Sequence, residues 1–209
     1  MSFLARLRPP QASRFTAAGL GATAALATAL LPALTPQLPA GVGLPAAQAS
    51  AGTCQSLLEY RWSDAKGYRK LRCFYTETTP LKRSEYYLVL GPKDRNTAIL
   101  KLSITIPASF DVQINPRQVK LCQMSEGGMT TRTRCLKEIP ATIEVAKNGR
   151  AIEIFPATPV PDAGSIGVYM NLFNPFNAGM YQFNALAQAP GDVPIAGYLG
   201  SWLIQIEPN

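Results

Sequence analysis

Short segments in which apolar and polar residues alternate, each ended by a proline, constrain the fold of this chain more than any other feature. Apolar residues occupy every second position from Ala98 to Ile106, and they do so again from Phe110 to Ile114. Pro107 and Pro116 end the two segments. A two-residue period places alternate side chains on opposite faces of a β-strand. We therefore expect two half-buried strands, the first with this buried face: Ala98, Leu100, Leu102, Ile104 and Ile106.

A β-hairpin is predicted from Ala141 to Phe155, with its turn at Asn148-Gly149. Asn-Gly favours two-residue turns because both positions need positive φ. That turn sets the register, so that Val145 opposes Ile152 and Ile143 opposes Ile154. These four side chains are expected to form an inward apolar cluster: Ile143, Val145, Ile152 and Ile154.

Three later segments are more continuously apolar: 166–173, 180–187 and 198–207. Runs of this length suit strands that are covered on both faces, although period alone does not separate a short one from buried helix. Asn174-Pro175 and Asn177-Ala178-Gly179 predict a turn between the first two. We expect their aromatic residues to lie in the core: Tyr169, Phe173, Phe176, Tyr181, Phe183, Tyr198 and Trp202. Roughly eight to ten strands with frequent turns favour an all-β antiparallel sandwich, with a small β-barrel as the alternative.

Residues 1–49 have the composition of a secretory signal peptide. Three arginines precede an apolar stretch, Phe15–Leu34, and a proline-rich tail ends in the cleavage pattern Ala47-Gln48-Ala49. An uncleaved membrane anchor is the alternative, but Pro32 leaves the stretch near the short limit for a span. Residues 50–209 would then form one domain. Removing three arginines from 20 basic residues leaves 17 against 13 acidic ones, a net charge of +4.

All four cysteines lie after this segment, which predicts two disulfides in an exported protein. Three pairings are possible. We favour Cys54–Cys73 and Cys122–Cys135, because each pair is local in sequence and flanks a candidate hairpin. A zinc site of four thiolates is the alternative, but no C-x-x-C pair is present to begin one.

The segment from about Tyr86 to Glu207 resembles a family of secreted cyanobacterial proteins that is known only as domain of unknown function 2808. The residues that carry the resemblance are these motifs: Tyr86-Tyr87-Leu88, Phe155-Pro156, Pro159-Val160-Pro161, Asn174-Pro175, Gly179-Met180-Tyr181-Gln182-Phe183 and Gly197-Tyr198-Leu199-Gly200. The resemblance implies an exported single domain of the cyanobacterial envelope or lumen. It implies no catalytic residues, and the four cysteines are not part of its pattern.

The chain contains no histidine, which removes the usual Ser-His-Asp and Cys-His catalysis and most transition-metal sites. One carboxylate pair remains, because the hairpin register sets Glu144 opposite Glu153. The pair could be the two acids of a glycan hydrolase or a calcium site. The structural interpretation is an outward face on which Lys101 or Lys137 neutralises the two carboxylates.

The best candidate for a ligand site is a basic and aromatic segment between Tyr60 and Tyr75. If residues 64–67 form a turn, Leu58, Tyr60 and Trp62 point inward and the basic side chains share an outward face opposed only by Glu59. Basic residues beside aromatic ones can bind phosphate, sulfated sugar or carboxylate. The candidate ligand-binding residues are Arg61, Arg69, Lys70, Arg72 and Tyr75.

A second candidate is the loop from Met124 to Arg132, which the disulfide Cys122–Cys135 would hold on a rigid base. Met129 exposed there could contact an apolar partner.

Together these features predict an exported, non-catalytic binding or structural module of the cell envelope, with no cofactor and no metal. The expected partner is an anionic envelope component or an envelope protein, and not nucleic acid. No transmembrane span remains once the signal peptide is removed. The compartment is the periplasm, the thylakoid lumen or the extracellular space. The alternative is a carbohydrate-active enzyme that uses paired carboxylates.

Overall fold

The computed structural model describes residues 51–54, 67, 69–127, 131–191 and 195–208. These residues belong to one compact unit, Ala46–Asn209. Three sequence predictions lie outside the described residues: the signal peptide, Arg61 with the first half of its hairpin, and Met129.

The described residues form two antiparallel sheets. The strands are β1 Gly52–Thr53, β2 Cys73–Tyr75, β3 Arg83–Leu90, β4 Lys101–Thr105, β5 Val119–Ser125, β6 Arg134–Glu138, β7 Ala141–Val145, β8 Ala151–Pro156, β9 Ile166–Phe173, β10 Gly179–Gln188 and β11 Ala196–Ile206. The six-stranded sheet has the order β1-β2-β3-β9-β5-β6, and the five-stranded sheet has the order β11-β10-β4-β8-β7. Two short 3₁₀ turns, Pro92–Asp94 and Pro116–Gln118, connect strands. Two separate sheets, rather than one closed sheet, confirm the β-sandwich and exclude the small barrel.

The alternating segment before Pro107 forms β4, and its inward residues Leu102, Ile104 and Ile106 are buried. The prediction was wrong at Leu100, which is 39% exposed, while Ile99 is buried. Ile99 exchanges two backbone hydrogen bonds with Val160 just before β4 begins, and this bridge turns its side chain into the core in place of Leu100.

Phe110 and Ile114 are buried as their alternation predicts, but their segment lies in no sheet. The ring of Phe110 packs edge-on against Tyr181 and Phe183, at centroid distances of 5.2 and 5.0 Å. The alternation of apolar residues therefore predicted the burial of Phe110 and Ile114 correctly. The prediction that their segment forms a strand was wrong.

The hairpin of β7 and β8 has the predicted register, with Val145 opposite Ile152 and Ile143 opposite Ile154. The turn geometry differs from the prediction. Gly149 has φ of 69°, whereas Asn148 does not have positive φ. The Asn148 side chain instead accepts a hydrogen bond from the backbone N–H of Arg150 at 3.0 Å. One left-handed glycine is thus sufficient to close this hairpin.

The three late apolar segments form β9, β10 and β11, but β9 and β10 lie in different sheets. The turn at residues 174–178 is therefore a crossover between the sheets and not a hairpin turn. Trp202 is buried in the core and donates its indole N–H to the backbone oxygen of Val89 at 3.1 Å. Phe183 and Tyr181 are buried as well.

Both disulfides of the favoured pairing are present. Cys54–Cys73 joins β1 to β2, with 5.0 Å between the two Cα atoms. Cys122–Cys135 joins β5 to β6, with 5.4 Å between the Cα atoms. Each bond links neighbouring strands of the six-stranded sheet.

Candidate binding surface

The basic segment at residues 69–72 runs along the edge of the five-stranded sheet. Leu71 donates its backbone N–H to Ser201 of β11 at 2.8 Å, and Ser201 donates to the backbone oxygen of Arg69 at 2.7 Å. Leu71 is buried, whereas Arg69 is exposed and Lys70 is half-buried. The segment therefore buries Leu71 and leaves Arg69 and Arg72 exposed.

Arg72 is occupied by an ion pair that the sequence did not predict. Its guanidinium contacts both carboxylate oxygens of Glu126, with Nη2 donating to Oε1 at 2.8 Å. The hydroxyl of Ser165 donates to the same carboxylate. Glu126 belongs to the loop after β5, so the two candidate sites of the sequence adjoin. The expectation that only Glu59 opposes the basic face was wrong, because Glu126 neutralises Arg72.

Tyr75 lies in the core and not on a binding surface. Its hydroxyl donates to the backbone oxygen of Gln205 at 2.9 Å and accepts from the backbone N–H of Gln205 at 3.0 Å. Its ring stacks on Tyr86 at 5.7 Å. Burial raises the pKa of Tyr75. The residue ties β2 to β11, and its prediction as a ligand-binding residue does not fit this position.

The loop from Met124 to Arg132 was expected to be exposed, but its first residue, Met124, is buried. Met124 is buried against Tyr87 and Cys122, in a small cluster on the outer face of the six-stranded sheet. Gly127 donates its backbone N–H to the hydroxyl of Thr133 at 3.0 Å.

Glu144 and Glu153 face each other across the hairpin, as the register predicted. Lys101 of the neighbouring strand β4 donates to Glu153 at 2.8 Å, and its ammonium lies 5.0 Å from the ring centroid of Phe155. This arrangement matches the structural interpretation of the sequence, in which a lysine neutralises the two outward carboxylates. Among the described residues, no group of three or more acidic or cysteine side chains could hold a metal ion.

Sequence reasoning missed a group of exposed apolar side chains at one end of the sandwich. Leu81 is 59% exposed, Phe173 is 55% exposed and Phe176 is 68% exposed. Leu81 lies in the loop between β2 and β3, Phe173 ends β9, and Phe176 lies in the crossover between the sheets. We call these three residues the apolar tip. The late aromatic residues Phe173, Phe176 and Tyr198 were wrongly assigned to the core.

Asn174 clamps the two loops of the apolar tip together. Its backbone N–H donates to the backbone oxygen of Lys82 at 2.8 Å. Its side-chain amide donates to the backbone oxygens of Thr79 at 2.7 Å and Glu77 at 3.0 Å, and its side-chain oxygen accepts from Tyr86. Asn174 is 1% exposed, so these bonds are shielded from water. The tip is thus a fixed surface and not a pair of independent loops.

Two basic residues border the apolar tip. The guanidinium of Arg83 lies 5.5 Å from the ring centroid of Phe173, and its Nε donates to the side-chain oxygen of Asn171 at 2.6 Å. Lys82 is exposed beside Leu81. Among the described residues, no carboxylate lies within ion-pair distance of Lys82 or Arg83.

The acidic residue of this loop, Glu77, is bound into the turn. Its carboxylate accepts from the backbone N–H groups of Thr78 and Thr79 and from the Thr79 hydroxyl, at 2.9, 3.0 and 2.7 Å. Burial alone would raise the pKa of Glu77, but these bonds and the charge of Lys82 leave it below its ordinary value.

Leu81 has φ of 59°, in the left-handed region. Among the residues that the structure describes, no other non-glycine residue has positive φ. A leucine there is strained, since left-handed backbone favours glycine or asparagine. The one sequence feature that marks the apolar tip is the position of Leu81, Phe173 and Phe176 within or beside turn sequences. This feature alone does not distinguish an exposed apolar side chain from a buried one.

The described residues contain no helix long and apolar enough to cross a membrane. What they define is an antiparallel β-sandwich with two disulfides and an apolar end. The sequence pattern of the family described as "Protein of unknown function (DUF2808)" matches residues 65–206. The chain belongs to this family. A comparison with curated proteins finds no match.

A comparison with solved structures finds similarities at low sequence identity. BslA, described as a bacterial hydrophobin, is 18% identical with a TM-score of 0.45, covering 67% of this chain and 98% of BslA. A collagen-binding domain from a Staphylococcus aureus adhesin is 11% identical with a TM-score of 0.32, covering 61% and 87%. The RrgA Jo.In complex is 11% identical with a TM-score of 0.36, covering 64% and 78%. Similarities of this size carry no functional inference.

Proposed function

We propose that this chain is an exported, non-catalytic binding module of the cell envelope, and that the apolar tip is its binding surface. The observation that carries the proposal is the exposure of Leu81, Phe173 and Phe176 on loops that Asn174 holds in place. Apolar side chains gathered at one place on a domain are typical of interaction surfaces, whereas scattered ones are ordinary. A clamped surface also loses little conformational entropy on binding.

The proposal places the domain outside the cytoplasm, in the periplasm, the thylakoid lumen or the extracellular space of a cyanobacterium. The two disulfides support this location, because such bonds persist in oxidising compartments. The basic and apolar N-terminal sequence supports export through a signal peptide.

Two observations support a role without catalysis. The chain has no histidine. The carboxylate pair that could have served a glycan hydrolase is engaged through Glu153 by Lys101. Glu144 and Glu153 also point outward side by side on one hairpin, without a gap for a sugar ring between acid and nucleophile.

Arg69 and Lys70 are the residues through which an anionic envelope component would bind, at a second surface. The two surfaces lie at opposite ends of β3. Leu81 precedes the first residue of β3, whereas Arg72 lies beside Gly91, which follows the last residue of that strand. Eight strand residues separate the two ends by about 24 Å. Their contributions can therefore be measured separately.

Sedimentation with isolated envelope fragments across a salt series tests the proposal. Binding is expected to persist at high salt and to fall about tenfold in Phe176→Ser, since a largely exposed phenylalanine would become buried. Leu136→Ser is the matched control, because Leu136 is 60% exposed on β6. The double variant Arg69→Gln/Lys70→Gln tests the anionic contact, whose loss would weaken binding at low salt alone. Absence of binding, or equal losses in Phe176→Ser and Leu136→Ser, would contradict the proposal.

A further inference from the structure

We infer that the partner of the apolar tip is a lipid bilayer that contains anionic headgroups. This inference rests on the proposed function, since it names the partner of the same surface. Leu81 and Phe176 lie on loops that connect strands at one end of the sandwich, and their side chains are largely exposed. A bilayer requires no complementary cavity, so exposed leucine and phenylalanine side chains on such loops can enter its headgroup region.

The position of the basic residues favours lipid over an apolar protein surface. Lys82 follows Leu81 directly, and the guanidinium of Arg83 lies over Phe173. Insertion of the apolar side chains would bring both cations to the level of the phosphates. Basic residues beside apolar ones are the composition of segments that bind anionic membranes.

Glu77 is near enough to interact with the charge of Lys82, but the two side chains do not form an ion pair. The carboxylate of Glu77 accepts three hydrogen bonds within its own loop. The carboxylate of Glu207 accepts a hydrogen bond from the Thr78 hydroxyl at 3.4 Å. Neither carboxylate lies within ion-pair distance of Lys82 or Arg83. Both cations can thus contact headgroup phosphates without first breaking an ion pair among the described residues.

The backbone of Leu81 provides an independent argument. An exposed leucine at φ of 59° is unfavourable both for its backbone and for its hydration. Strain of this kind is concentrated at functional positions. Burial of the side chain in a bilayer would remove the hydration part of that penalty.

The test uses vesicles of phosphatidylcholine, with and without phosphatidylglycerol, and the protein purified in the form that the cell accumulates. All variants share the same N-terminus, so its contribution is constant. We expect vesicle binding to fall about tenfold in Phe176→Ser. We expect vesicle binding to fall about fivefold in Lys82→Gln, and only with the vesicles that contain phosphatidylglycerol. The controls are Leu136→Ser and Lys137→Gln, two exposed positions on β6, which are expected to bind as the wild type does.

A second measurement does not depend on loss of binding. Phe176→Trp is mixed with vesicles of brominated lipid, and the emission of the wild type, which has two tryptophans, is subtracted. Quenching in Phe176→Trp but not in Leu136→Trp is the expected result. Absence of vesicle binding, or equal quenching at both positions, overturns the lipid inference. If envelope fragments still bind through the tip while pure lipid does not, the proposed function stands without it. If the protein binds neither envelope fragments nor vesicles, both the proposed function and the lipid inference are wrong.

Discussion

The hydroxyl of Tyr86 donates a hydrogen bond to the side-chain oxygen of Asn174, and both residues are buried. Tyr86 belongs to the main core and stacks on Tyr75, whereas Asn174 begins the crossover that carries Phe176. One buried amide thus connects the core of the sandwich to both loops of the apolar tip. The stability of the fold and the shape of the proposed binding surface depend on the same residue.

Replacing Asn174 with alanine is expected to lower the free energy of unfolding by about 2–4 kcal/mol. The reason is that the Tyr86 hydroxyl and the loop carbonyls of Glu77 and Thr79 lose their partner in a buried site. Asn171→Ala is the control, because Asn171 accepts an exposed bond from Arg83 and should contribute less than about 1 kcal/mol. Urea unfolding compares the two, and equal losses would show that Asn174 is not a clamp.

Leu81→Asn is expected to raise the free energy of unfolding by about 0.5–1 kcal/mol, because asparagine adopts left-handed backbone more readily than leucine. The same substitution is expected to weaken binding to envelope fragments. Leu136→Asn, at a similarly exposed position in a strand, should instead destabilise slightly, since asparagine is unfavourable in extended structure. Thermal unfolding and sedimentation give both readouts. A destabilised Leu81→Asn would mean that this backbone is not strained.

Stability is expected to fall in alkaline solution because several tyrosines, Tyr87 among them, have raised pKa values. Burial, the charge of Glu85 and the hydrogen bond donated to Glu85 raise the pKa of Tyr87 to about 12, from 10.0. Between these values the unfolded chain binds fewer protons than the folded protein. The contribution of the neutral phenol is therefore complete below pH 10 and is lost as the pH rises through about 12.

Tyr87→Phe checks this assignment, because it removes the titrating group while keeping the ring. Urea unfolding at a series of alkaline pH values should show a shallower fall in stability for Tyr87→Phe than for the wild type. An unchanged slope would assign the alkaline loss to other tyrosines.

Neither carboxylate of the hairpin pair is expected to matter for function. Glu144→Gln relieves a like-charge contact and should leave stability unchanged or raise it by up to about 0.5 kcal/mol. Glu153→Gln breaks the ion pair with Lys101 and should lower stability by less than about 1 kcal/mol. Chemical unfolding measures both effects. Release of sugar from envelope glycans that disappears in Glu144→Gln would instead support the enzyme alternative.

Features that depend on neighbouring residues could be predicted from the sequence. The register of β7 and β8 follows from two-residue alternation on either side of the turn at Asn148-Gly149, so Glu144 and Glu153 were placed opposite each other correctly. Both disulfides likewise join strands that are close in sequence. Even so, the turn differs in detail, because the hydrogen bond from Arg150 to Asn148 replaces the second left-handed residue.

Features that depend on distant residues could not be predicted. Arg72 and Glu126 are 54 residues apart. Arg72 directly precedes β2 and Glu126 directly follows β5, and they come together because these two strands lie in one sheet with β3 and β9 between them. The exposure of Phe173 and Phe176 depends on the crossover from β9 to β10, which carries the chain around the end of the sandwich. Apolar composition alone predicts a core position there, since it does not say where the sheets end.

Hydroxyl-radical footprinting shows whether the apolar tip contacts the envelope, because it measures the exposure of these side chains in the protein without any substitution. Oxidation of Phe176, Phe173 and Leu81 is measured by mass spectrometry with and without envelope fragments, and Leu136 serves as an equally exposed reference. Binding through the apolar tip would give strong protection of the three tip residues and little change at Leu136. Protection of Leu136 with the tip left reactive, or no protection at any of the four positions, would contradict it.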